Sequence, residues 1–194
     1  MDDNLLRLQK EAFLSLYTPP ANAKTPRDIA LASAIVSVVR RNPTYSKNLT
    51  RTQKKEIVAF WRGELIQRGK KYLHSAQTIN TYIDDVISMR DSINAHYGEF
   101  LQNAVSKGIR IAHCPKSLSI YLKYMWCQNV STVEPPLCPI DRVVLSHCDK
   151  IGVSWTRIDD VDTLQSIISL VSRCPQHLTC CNSVAEWELR IFNL

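Results

Sequence analysis

The strongest constraint on this chain is its rhythm. Apolar residues recur every three or four positions in segment after segment, and short polar or proline-marked breaks separate the segments. No strand-like alternation persists anywhere. The first segment, 2–17, carries Leu5, Leu8 and Leu16 near helical spacing, widened by Leu6 and Phe13, and Thr18-Pro19-Pro20 stops it. Pro26 suits the first turn of a second helix. That helix, 27–41, is apolar nearly all round, so it is expected to be the central buried one.

Asn42-Pro43 breaks the chain again. Thr50 with Gln53 has the spacing of a capping box for a helix to about Gln67, with Ile57, Phe60, Trp61 and Leu65 on its apolar side. A longer amphipathic helix is expected over 75–97. Another is expected over 99–107, with Gly108 as its cap. Three more are expected at about 116–127, 141–150 and 160–172. A last one, 182–192, has Ser183 and Glu186 as its capping box. The tetrapeptide 109–112 is apolar, but without a partner it makes no sheet. The fold class is therefore all-α: a compact multi-helix domain of about eight or nine helices spanning 1–194, with an arrangement in two helical lobes open.

The 194 residues fit one domain, and the 45% hydrophobic fraction can build a core. The five glycines never cluster, which excludes a dinucleotide-binding turn and a Walker A loop. No apolar run is long enough for a membrane span. The N-terminal segment MDDNLLRLQK is acidic and then amphipathic, so no secretory leader is expected there. Seven cysteines cannot all pair within one chain. With no leader expected, they are read as reduced thiols of a cytoplasmic protein. Cys174, Cys180 and Cys181, with His177 between, form the tightest cluster. No C-x-x-C occurs, so neither a metal site nor a cofactor is expected.

Charge is uneven. The net charge of +6 arises from residues 1–115, where 17 Lys/Arg face 10 Asp/Glu. Within them, Arg40 to Lys71 holds ten basic residues against Glu56 and Glu64. Such a stretch attracts polyanions, or it solvates a helix face. The candidate nucleic-acid contacts are Arg40, Arg41, Lys47, Arg51, Lys54, Lys55, Lys70 and Lys71.

The segment from Cys114 to Gly152 carries a further pattern. Pro139-Ile140-Asp141 is followed by Val144 and then Lys150-Ile151-Gly152, while Lys116-Ser117-Leu118 stands upstream with Tyr121 and Leu122. Over about residues 110–155 this resembles the helix-hairpin-helix DNA glycosylases, the endonuclease III-like enzymes. The resemblance implies a DNA partner, a base flipped from the stack and possible abasic-site lyase chemistry. Asp141 would stabilise charge developing on the sugar or activate the nucleophile, and Lys116 would attack the sugar as a free amine.

The chain departs from the family in several places. Ala112-His113-Cys114 stands where the family has a glycine-rich hairpin, and Val143 stands where it has histidine. Lys116 and Asp141 are 25 positions apart, with Val133-Glu134-Pro135-Pro136 as the apparent insertion. The family's four-cysteine cluster motif is absent.

Plainer readings stay open at each position. Asp141 has the chemistry of a helix N-cap, and Lys116 that of an exposed first-turn lysine. Tyr121, Tyr124 and Trp126 suit base stacking or a core. Glu134 and Asp141 could pair as carboxylates, and Asp159, Asp160 and Asp162 suit a helix start. The functional alternative to the glycosylase reading is a non-catalytic helical binding or interaction protein, and an apolar ligand pocket between helices is a third.

Overall fold

The computed structural model describes residues 3–16, 18, 23–39, 44–46, 49–101, 108–148, 154–174 and 179–193. Among these residues the chain forms eight α-helices and three short 3-10 turns, and its only β-type pairing is an isolated bridge between Tyr45 and Leu101. The helices are α1 (Asp3–Ser15), α2 (Pro26–Val39), α3 (Arg51–Gly69), α4 (Ile79–Tyr97), α5 (His113–Cys127), α6 (Arg142–His147), α7 (Val161–Ser172) and α8 (Val184–Phe192). None is long and apolar enough to cross a membrane.

Local chemistry sets most of the helix starts. Thr50 caps α3 with both capping-box bonds, its hydroxyl taking the Gln53 N–H and the Gln53 side chain taking the Thr50 N–H. Thr78, Asp160 and Ser183 cap α4, α7 and α8 in the same way, each accepting from a backbone N–H three residues on. At α8 the return bond reaches one residue further back, since Glu186 Oε2 accepts from the Asn182 N–H at 3.0 Å. The C-terminus of α5 turns at Asn129, which has a φ of 56° and closes the helix in the left-handed region.

The central helix is α5, not α2. Only Lys116 and Ile120 of its 15 residues escape burial, whereas α2 leaves Val36 46% exposed. α2 lies along α5, and α3, α4 and α1 also pack against it. The apolar character of α2 reflects a helix with one buried face, formed by Ala30, Leu31, Ala34, Ile35 and Val38. α5 buries a lysine, a histidine and two serines, so its sequence looks less apolar than its position.

The buried residues form one continuous cluster from Phe13 to Leu189. Its two ends are tied together at α1 and α8. Phe13 meets Phe192 edge-on at 5.8 Å, and the Asn193 side-chain amide donates to the Gln9 carbonyl at 2.9 Å.

The expected helix over 99–107 is not present at its start. Gly98–Phe100 is a 3-10 turn that ends in extended Leu101, whose backbone faces Tyr45. Residues 102–107 lie outside the described residues. Gly108 has a φ of +104°, and a Cβ there would sit 2.7 Å from Asn94 Oδ1. That oxygen accepts the Ile109 N–H at 2.8 Å, which fixes the approach to α5 against α4.

Candidate nucleic-acid interface

The inner face of α3 explains its outer one. Ile57, Trp61 and Leu65 are fully buried, and the Trp61 indole N–H donates to the Ser117 hydroxyl of α5 at 3.2 Å. With that stripe fixed, steps of three and four place Lys55, Ala59, Arg62, Gly63 and Ile66 on the far side, with Arg51 and Val58 at its flank. These residues, with Lys54 and with Leu31 of α2, line an open groove of about 670 Å³. Its floor is aliphatic and its rim is basic. Gly63 keeps the floor low: a Cβ there would meet nothing within 4 Å.

Arg51, Lys54 and Lys55 are exposed, and among the described residues none of them forms an ion pair. Lys54 reaches to 5.7 Å from the Tyr45 ring. Arg62 is half-buried, and its Nε has no hydrogen-bond partner among the described residues. Asp28 of α2 lies within electrostatic reach of Arg62. Hydrogen bonds from Thr25 chiefly hold its carboxyl below the usual range, with a lesser contribution from Arg62.

The remaining basic candidates divide. Lys70 is exposed beyond the end of α3. Lys71 is ion-paired with Asp85 at 2.8 Å, and the Tyr72 hydroxyl donates to the same carboxylate. Arg68 is held by Glu64 at 2.8 Å. Arg40, Arg41 and Lys47 lie outside the described residues.

Asp141 is the N-cap of α6. Its Oδ1 accepts the N–H groups of Val143 at 2.8 Å and Val144 at 3.1 Å. Both bonds fall on that one oxygen. Lys116 stands half-buried in the first turn of α5. One turn back is His113, 3% exposed, with neither ring nitrogen hydrogen-bonded among the described residues. Burial, aided by Arg110 and Lys116, pushes its pKa down to about 4, so it is neutral at pH 7.

The stretch Ala112-His113-Cys114, where the resembled family keeps its hairpin, is buried. Its three N–H groups donate inward, to the carbonyls of Ile158, Arg110 and Ile111 at 3.3, 3.1 and 3.0 Å. None is left to meet a phosphate. Lys150, Ile151 and Gly152 lie outside the described residues.

Several other candidates find structural partners. Tyr121, Tyr124 and Trp126 are buried in the core at 1–4% exposure. Asp159 accepts the Ile111 N–H at 3.1 Å, and Asp160 caps α7. Glu134 pairs not with Asp141 but with Glu186 and Ser183. Burial chiefly raises its carboxyl, and the neighbouring Glu186 adds to the effect. Cys174 is buried, with its thiol 3.5 Å from the His147 carbonyl, and His177 lies outside the described residues. Among the described residues no group of three or more His, Cys, Asp or Glu side chains could hold a metal.

One charged feature escapes sequence reasoning. Lys123 and Glu188 form a buried ion pair at 2.6 Å, each about 5% exposed, and Phe13 and Phe192 cover the ammonium at 4.0 and 4.6 Å. Burial pushes the Glu188 carboxyl up, and Lys123 opposes the shift. Nothing in the pattern around Lys123 marks it as buried, since its partner stands 65 residues away.

These observations define an all-helical domain with a basic, aliphatic-floored groove on one outer helix. No protein-family model, curated protein or solved structure matches the chain.

Proposed function

We propose that this protein binds DNA through the sugar–phosphate backbone, using the outer face of α3 and without chemistry on the base. The observation that carries the reading is the groove itself, with Arg51, Lys54 and Lys55 on the rim and Leu31, Val58, Ala59 and Ile66 beneath. A nucleic-acid strand alternates charged phosphates with apolar sugar faces, and a cationic rim over an aliphatic floor complements both. Among the described residues that line it, the groove has no aromatic ring for stacking and no side-chain amide for reading base edges, so binding is expected to be indifferent to sequence. The reduced thiols suit a cytoplasmic setting.

A second reading keeps the resemblance of residues 110–155 to the helix-hairpin-helix glycosylases. It assigns base-excision or abasic-site lyase chemistry to Lys116 and Asp141. It draws support from the cap at Asp141, whose two bonds engage Oδ1 only.

One experiment separates the readings. Binding to an intact duplex and to a duplex with an abasic site is followed over a salt series, with borohydride trapping alongside. The proposal expects equal binding to both duplexes and no trapped adduct. Replacing Arg51, Lys54 and Lys55 by alanine should flatten the logarithmic salt slope by nearly three, which corresponds to about 40-fold between 50 and 200 mM salt. An adduct lost in Lys116→Ala and weakened in Asp141→Asn would replace the proposal with the lyase. Absence of binding at low salt would remove nucleic acid and leave an acidic protein helix as the occupant of the groove.

A further inference from the structure

The seven thiols fall into two populations. Cys114, Cys127, Cys138, Cys148 and Cys174 are buried, while Cys180 is exposed and Cys181 half-buried. The two accessible ones are neighbours in the chain, and their sulfurs lie 3.6 Å apart, just ahead of the Ser183 cap of α8. We propose that Cys180 and Cys181 form a dithiol site that chelates a soft, thiophilic centre of the trivalent-arsenical class.

The separation distinguishes chelation from oxidation. A disulfide needs the sulfurs at about 2.05 Å, so the pair would have to close by about 1.5 Å across a single peptide bond. Two sulfurs bound at about 2.3 Å to one pyramidal trivalent centre lie about 3.4 Å apart, close to the separation already present. Soft thiolate ligands favour soft centres, and two sulfurs fall short of the closed four-ligand set of a structural zinc site.

The surroundings also suit chelation. Cys181 lies near Arg190 and Glu186, and burial with its Cys180 neighbour pushes its pKa up to about 11. That disfavours a thiolate ready to attack a small-molecule disulfide. Chelation of an arsenic(III) oxide does not need one. Two S–H bonds and the arsenic–oxygen bond break, and two As–S bonds form. The oxide oxygen leaves as water with both thiol protons, and arsenic stays trivalent. The other five cysteines are enclosed in the core, so in the folded protein the reagent meets this pair alone.

The test is intact-protein mass spectrometry of the folded chain with stoichiometric phenylarsine oxide, followed by washing with excess monothiol and then with a dithiol. The expected result is one arsenical per chain, retained against the monothiol and released by the dithiol. Cys180→Ser should weaken retention by about 100-fold or more, because the second thiol acts at high effective concentration only when the first is present. Cys181→Ser should do the same. Circular dichroism checks the fold of each variant, and exposed Cys180→Ser decides the matter by itself if Cys181→Ser fails to fold. Absence of an adduct in the native protein would overturn the proposal. So would full retention by Cys180→Ser or by the double serine variant.

Discussion

α3 and α5 both carry lysines, and they use them in opposite ways. On α3, Lys54 and Lys55 stand in solvent on the rim of a groove. On α5, Lys123 is enclosed by Phe13, Phe192 and Glu188, and Lys116 is half-sunk beside a neutral histidine. An exposed cation contributes little to folding and remains available to a ligand. A buried one must be matched, and once matched it specifies which helices meet. α3 is therefore where binding is expected, and α5 where stability is decided. That contrast can be broken in a graded way.

The largest effect should follow Glu188→Ala, which leaves Lys123 buried without its carboxylate. A loss of about 3–5 kcal/mol is expected in urea unfolding. Lys123→Met combined with Glu188→Leu should recover most of it, because the uncompensated charge is gone. Equal losses in the single and double variants would show that Phe13 and Phe192 alone make the pocket.

The next effect concerns pH. Unfolded histidine takes up a proton near pH 6.5, whereas folded His113 resists until about pH 4. Between those values the unfolded state binds the extra proton, so stability falls as pH drops through this window and is level above it. The expected loss is about 3 kcal/mol by pH 4. In a His113→Phe variant this contribution to the slope should vanish. Urea midpoints at pH 7, 5.5 and 4.5 measure it, and an unchanged slope would place His113 in contact with solvent.

Asp141→Ala removes a cap and should cost about 1 kcal/mol in urea unfolding, while Asp141→Asn costs less. A larger loss would mean that Asp141 does more than cap α6, because its charge opposes ionised Glu188 and its removal there relieves the carboxylate. The smallest effect on folding belongs to α3. Lys54→Ala with Lys55→Ala should leave stability within about 0.5 kcal/mol per site while weakening DNA binding at low salt. A large loss of stability would mean that the rim serves the fold.

The sequence discloses what is decided locally. Thr50 with Gln53, Asp160 and Ser183 could be read as helix starts because a cap and its N–H lie three residues apart. The choice of central helix could not be read, since α2 is more apolar than α5 and only packing reveals which is enclosed. The basic stretch of the candidate interface was visible as composition. Its division was not, because Lys71 is neutralised by Asp85 from the next helix, while Lys54 and Lys55 meet no carboxylate of the described residues. The inward donation of the three N–H groups at 112–114 depends in part on Ile158, far along the chain.

The pairing of Lys123 with Glu188 also has a consequence in time. A chain made from its N-terminus acquires α5 long before α8, so Lys123 is made 65 residues before its carboxylate. Until then α5 cannot take its enclosed place without stranding an ammonium in the core. The helices before it can form and collapse loosely, but the finished interior waits for one of the last helices described. The nascent domain is thus held open, with apolar surface exposed, while the 65 residues from Lys123 to Glu188 are being made.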